Sequence, residues 1–254
     1  MSEPGVPAPR DPRLAELEAH TRAARTALPG PGYLDWLQWL HDRLRPAAYA
    51  EVGVASGASL ALARPETRAV GVDPRPDVRQ PLPPRAEVFP VPSDGFFASG
   101  TAARVLGADR LGLAFVDGLH QAAQALRDVV HLERFCLPGA VIAVHDVWPI
   151  SEEVASPDRR TVFWTGDVYK ALLALADVRP GLRVAVVPCF PSGLALVTGL
   201  DPGDATAPEA YAAAVARWQP VGFAAAFAEL RRRATVLDNQ LAAFARYSAA
   251  FPPA

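Results

Sequence analysis

Apolar positions recur along this chain with two different periods, and the change from one to the other marks its organisation. In residues 13–27, Leu14, Leu17 and Ala24 can share one face while Glu16, Glu18, Arg22 and Arg25 lie elsewhere, which predicts a helix. Leu28-Pro29-Gly30-Pro31-Gly32 stops it, and a second helix is predicted from about 33 to 44, with Leu34, Leu37, Trp39 or Leu40, and Leu44 at helical spacing. Pro46 ends that helix. From Ala48 the pattern shifts to short apolar runs separated by helix-like stretches, the signature of a parallel sheet with crossover connections. Strands are predicted over 49–54, 69–72, 86–91, 112–116 and 140–144, a helix opening over 59–63, and a crossover helix over 121–135 that presents Leu126, Val129 and Val130 on one face. A loop to about residue 158, a helix through 168–176, and strands over 182–187 and 194–198 complete the run. The connection from Pro188 to Gly193 is too short for a helical crossover, so the last two strands are expected to be antiparallel.

The predicted fold is therefore α/β, a Rossmann-like, seven-stranded, mostly parallel sheet with an antiparallel terminal hairpin, flanking helices, and helical extensions at both ends. The expected organisation is a loose, proline-rich tail over 1–12, N-terminal helices over 13–46, the main domain over 47–202 and a C-terminal helical extension over 203–254. Within that extension, Phe223, Phe227, Leu230, Ala234, Leu237, Leu241 and Phe244 follow alternating steps of four and three. Such a heptad seam predicts a homodimer through one continuous helix, or a helix docked on its own domain.

Composition narrows the function. Twenty-five Lys and Arg against 27 Asp and Glu leave a formal charge of -2 over 254 residues, so no bulk field draws nucleic acid or an anionic membrane, and a small-molecule partner is the expectation. Two cysteines, Cys136 and Cys189, make no disulfide framework and no C-x-x-C pair. The first residues lack the apolar core of a signal peptide and no apolar run is long enough to span a bilayer, which predicts a cytoplasmic protein.

The chemistry gathers at strand ends. Tyr49-Ala-Glu51-Val-Gly53-Val-Ala-Ser56-Gly57-Ala-Ser59 places two glycines in the turn after the first strand, where backbone N–H groups can approach a ligand beside the expected helix. About twenty residues on, Gly71-Val72-Asp73 ends the second strand with a carboxylate able to accept both hydroxyls of a ribose. Tight turns of any Rossmann-like domain also use such glycines, and Asp73-Pro74 is also an ordinary turn dipeptide. A dinucleotide site would show G-x-G-x-x-G; here Glu51 precedes Gly53, and Ala55, Ser56 and Gly57 follow.

The acid-first pattern E-x-G-x-x-x-G resembles the first motif of class I S-adenosylmethionine-dependent methyltransferases. That resemblance, which covers roughly residues 33–202, implies S-adenosylmethionine as cofactor, contacted by Gly53, Gly57 and Asp73, with Glu51 near its methionine end, Ser56 close by, Asp73 on the ribose and Asp94 near the adenine. Asp94 would serve equally as a helix N-cap. A second constellation, Asp117-Gly-Leu-His120 and Val144-His145-Asp146, ends the fourth and fifth strands at the same sheet edge. Its spacing is similar to that of the acidic metal ligands of catechol-type and sugar O-methyltransferases, with His145 standing where the first acid of the second pair would be. The resemblance implies that Asp117, His145 and Asp146 hold a divalent ion (Mg or Mn), with Asp117 also near the cofactor, or that His120 or His145 takes the acceptor's proton. Capping and loop bracing by these four side chains is the alternative without chemistry.

Four further expectations attach to the segment after the fifth strand and to isolated histidines. Asp167 is expected to cap the helix over 168–176, and Lys170 to meet a substrate carboxylate or Asp146. Trp148, Trp164 and Tyr169 line an apolar acceptor pocket or pack in the core. His20, His41 and His131 are expected to be solvated or locally bonded. The reading that follows is methyl transfer to an oxygen of a small sugar-like or natural-product acceptor; the rivals are a NAD(P)-dependent Rossmann oxidoreductase and a non-catalytic cofactor-binding protein.

Overall fold

The computed structural model describes residues 11–249; most of the tail expected over 1–12 lies outside them. Strands β1 (Ala48–Val52), β2 (Arg68–Val72), β3 (Ala86–Phe89), β4 (Leu111–Val116), β5 (Cys136–His145), β6 (Arg183–Val187), β7 (Leu194–Thr198) and β8 (Thr235–Val236) form one sheet in the order β3-β2-β1-β4-β5-β7-β6-β8. Only β7 runs against its neighbours, pairing antiparallel with both β5 and β6. The hairpin expected at the sheet's end is thus present. β8 was not anticipated: its two β-branched residues pair parallel with β6 and bring the count to eight.

The central strands β1 and β4 are buried on both faces, as their continuous apolar runs require. Helices α3 (Ser93–Ala98), α4 (Thr101–Leu106), α5 (Ala122–Glu133), α6 (Tyr169–Val178), α7 (Pro208–Trp218) and α8 (Phe223–Arg233) accompany one apolar cluster. The other face is covered by α2 (Tyr33–Leu44) and α9 (Ala242–Ala249), through Trp36, Leu37, Leu40 and Phe244. Trp36 Nε1 donates to Asn239 Oδ1 at 2.8 Å, so the two terminal extensions meet over the sheet. Helix α1 (Pro12–Ala27), capped by Asp11, lies mostly exposed.

Two expectations for the main chain are corrected. Residues 59–63 form only a 3-10 turn, Leu60–Leu62, because Pro65 follows too soon for an α-helix to propagate; the glycine loop therefore has no α-helical dipole behind it. The heptad seam is not one helix. Ala234 is extended and ends α8, Thr235 and Val236 join the sheet, and α9 starts only at Ala242. Phe223 and Phe227 pack against Tyr169, and Phe227 against Trp148, while Phe244 is buried against Trp39. The stripe docks on its own domain and leaves no continuous seam for a partner. The third strand also ends at Phe89, short of the expected residue 91.

Candidate active site

The carboxyl ends of β1, β2 and β4 open on a cleft of about 420 Å³ lined by Gly53, Ala55, Asp73, Asp94, Asp117 and His120, among others. Gly53 is required by close approach. Its φ is +95°, and a Cβ there would stand 2.0 Å from the carbonyl oxygen of Asp117, so the β1 and β4 loops can adjoin only with glycine at this position. Asp73 holds the same loop from the other side: Oδ2 accepts from the Val54 and Ala55 amides at 2.9 Å each, and Oδ1 from the Arg75 amide at 2.7 Å. One lone pair of Oδ1 remains for a ligand.

Not every residue assigned to the cofactor from the sequence reaches this cleft. Glu51 is fully buried beneath it, accepting from Tyr49 Oη at 2.6 Å and from Ser59 Oγ at 3.2 Å. Burial, against those two hydrogen bonds, raises its pKa to about 8. Ser56 and Gly57 face the proline-rich loop instead: the Ser56 carbonyl accepts from the Arg79 amide, and Gly57, with φ +79°, abuts Val78. Asp94 does line the cleft, but Pro92 rather than Asp94 occupies the cap of α3. Gln124 Nε2 donates to Asp94 at 3.0 Å and Arg127 Nε lies 3.4 Å from it; these donors hold the Asp94 carboxyl below the usual range.

At the far end of the cleft Asp117, His120, His145 and Asp146 converge. Val116 pairs with Val144 across the sheet, which puts Asp117 and His145 at matching positions one residue further on. His145 Nδ1 lies 3.0 Å from Asp117 Oδ1, its Nε2 lies 3.4 Å from Ser192 Oγ, and its ring packs on Tyr33 with centroids 4.2 Å apart. Both nitrogens are thus engaged. Asp146 has φ +61°, a turn out of the strand that directs its carboxylate back toward the cluster.

His120 is differently placed. Its ring stacks on Trp164, and its Nδ1 faces the Trp164 carbonyl oxygen at 2.8 Å and Asp146 Oδ2 at 3.0 Å. Asp146 Oδ2 is buried with that Nδ1 as its neighbour, and Nε2 of His120 lies 3.8 Å from Asp117 Oδ1. One ligand atom each from Asp117, His120 and Asp146 lie within 4.8 Å of one another. A cavity of about 10 Å³, room for one water-sized occupant, is bordered by these three and His145. The donor set, one imidazole and two carboxylates, suits a divalent ion. His120, rather than the His145 expected from the sequence, joins Asp117 and Asp146 in this grouping, while His145 borders the same cavity. Burial disfavours the imidazolium of His120, but Asp146 and Asp117 outweigh it and raise the pKa to about 10.

Other expectations moved with the geometry. Asp167 Oδ1 accepts from the Ala122 amide at 2.8 Å and so caps α5, not α6. Lys170 donates to the Gln219 carbonyl at 3.0 Å, away from Asp146. Of the three aromatics, Trp164 alone packs on a residue of the cluster; Trp148 and Tyr169 belong to the packing of α8. His41 is fully buried with neither nitrogen hydrogen-bonded, and burial lowers its pKa to about 4. Ser192, Tyr33 and Gln124 were missed. The first could have been found, because β6 ends at the same sheet edge and its hairpin loop must pass beside the cluster.

Residues 50–147 match the sequence model of a family described as a methyltransferase domain. Over that span the chain is similar to a methyltransferase domain. No curated protein matches the sequence. Among solved structures, the fold is similar to cofactor-bound Rv0187 from MTB, at 21% identity and a TM-score of 0.52, covering 74% of this chain and 90% of that one. It is also similar to an O-methyltransferase from Bacillus cereus in complex with SAH (16%, TM-score 0.51, covering 76% and 92%). A third is the O-methyltransferase TomG from Streptomyces achromogenes in complex with SAM (16%, TM-score 0.51, covering 72% and 88%). The methyltransferase domain places the glycine loop, Asp73 and the Asp117–His120–Asp146 cluster along one sheet edge, and the oxidoreductase reading is not favoured.

Proposed function

We propose that this methyltransferase moves a methyl group from S-adenosylmethionine to an oxygen of a small molecule, with a divalent ion held by Asp117, His120 and Asp146. The observation that carries the reading is the convergence of one ligand atom each from Asp117, His120 and buried Asp146 within 4.8 Å, at the end of a cleft of cofactor size. The SAM and SAH bound in two similar O-methyltransferase structures support the same cofactor here. In that cleft Asp73 offers its remaining lone pair to a ribose hydroxyl, Asp94 offers its carboxylate to an exocyclic amine, and exposed Leu119 offers an apolar face.

A bound divalent ion lowers the pKa of an acceptor hydroxyl and neutralises the two carboxylates that would otherwise repel the resulting oxyanion. His145 orients Asp117, Ser192 donates to Asp146, and Trp164 holds the His120 tautomer through its carbonyl. Tyr33 and Trp164 cover the two histidines and exclude water from that end. Among the described residues no helix is long and apolar enough to cross a membrane. We read the protein as cytoplasmic, with a small-molecule acceptor and neither nucleic acid nor membrane as partner.

The test is transfer of labelled methyl from S-adenosylmethionine to a panel of small phenols, vicinal diols and sugars. Turnover on one of them that EDTA abolishes and Mn²⁺ restores is the expected result; turnover indifferent to EDTA would remove the ion from the reading.

A further inference from the structure

On the face of α5 away from the sheet, α5 and α7 diverge to leave a second cavity of about 390 Å³. Its floor is apolar, from Leu126, Val130 and Val215, and three basic side chains, Arg127, His131 and Arg134, stand at one side; no carboxylate lines it among the described residues. The Arg134 guanidinium makes no ion pair there, and Nδ1 of His131 is buried without a hydrogen-bond partner. An apolar floor edged by the Arg134 guanidinium, which has no ion pair among the described residues, and by Arg127, shared with Asp94, matches a ligand that has an apolar body and one negative group.

We propose that the α5/α7 cavity is a second ligand site, taking a small amphipathic anion such as a medium-chain acyl carboxylate or an aryl sulfonate, and that its occupancy is felt at the cofactor cleft. The link is Arg127. This side chain lines the second cavity, yet its Nε lies 3.4 Å from Asp94 Oδ1 and it also hydrogen-bonds Gln124, and both those partners line the cleft. An anion that draws the guanidinium toward α7 takes it from Asp94 and changes the charge that Asp94 presents to the cleft. The coupling, though not the site, rests on the cofactor reading above.

The site is tested with the full chain and 1-anilinonaphthalene-8-sulfonate, followed by its fluorescence. Saturable binding with one-to-one stoichiometry, displaced by octanoate, is expected. Ala212→Trp or Ala216→Trp, exposed α7 positions that line the cavity, should abolish it without lowering the thermal midpoint, and Arg134→Gln should weaken it about tenfold. Absence of saturable binding, or binding untouched by both tryptophan variants, overturns the site. For the coupling, saturating octanoate should shift the S-adenosylhomocysteine dissociation constant at least threefold in the native chain and not in Arg127→Met. A constant that octanoate leaves unmoved overturns the coupling while the dye result stands; failure of S-adenosylhomocysteine to bind at all instead overturns the cofactor reading and with it the coupling.

Discussion

Nδ1 of His145 stands 3.0 Å from Oδ1 of Asp117, so the carboxylate that β4 brings to the cleft is oriented from behind by β5. The two residues hold different ranks toward a metal. Asp117→Asn, His120→Ala or Asp146→Asn removes a ligand and should abolish Mn²⁺ binding at micromolar concentration, read by the electron paramagnetic resonance of the free ion. His145→Phe should lower affinity by about 10- to 100-fold while leaving a site, the usual effect of losing an orienting partner. Equal losses from His145 and His120 would return His145 to the ligand set.

Asp73 latches the glycine loop through three backbone N–H groups. Its replacement by Ala should therefore lower stability even without ligand, by about 1 to 2 kcal/mol, since three backbone amides, that of Val54 on a buried residue, lose a charged acceptor. Urea denaturation of the ligand-free chain measures this. A side chain that served the ribose alone would leave that midpoint where it is.

Gly53 and Gly95 make an internal contrast. Gly53→Ala drives a Cβ to 2.0 Å from backbone at φ +95°, and should cost about 3 kcal/mol or more. At Gly95, inside α3, a Cβ meets nothing within 4 Å, so Gly95→Ala should be neutral or stabilise by about 0.5 to 1 kcal/mol. Urea midpoints of the two variants should move in opposite directions, or the second not at all.

The sequence made the sheet legible because buried parallel strands read as apolar runs, and α2 and β7 were placed to the residue. It misled where a local pattern met a tertiary constraint. Residues 223–244 carry a regular apolar stripe, but Ala234 turns extended and Thr235 and Val236 find an open sheet edge beside β6. In the site, the strand-end carboxylates could be read from chain order alone. Which of two histidines would face them could not, because that depends on the strand register that pairs His145 with Asp117 and on Trp164 fixing His120 from a distant loop.

Glu51 gives stability a pH dependence. Its folded-state pKa of about 8 lies above the value near 4.5 of an exposed glutamate, so between those pH values the folded chain binds the extra proton. Its contribution is therefore complete below pH 4.5 and falls as pH rises through 8, by about 1.4 kcal/mol per unit at most. Glu51→Gln should flatten that decline in urea denaturation series between pH 5 and 8; an unchanged slope would contradict the buried acid as its source.

The central claim is that the cleft between Asp73 and Asp117 takes S-adenosylmethionine, and calorimetric titration with its product S-adenosylhomocysteine tests it most directly. One saturable site on the native chain is expected, weakened by about 10- to 100-fold in Asp73→Ala as a charged hydrogen-bond acceptor is lost, with NAD and NADP giving no heat of binding. Saturable binding of NAD with no response to S-adenosylhomocysteine would contradict it.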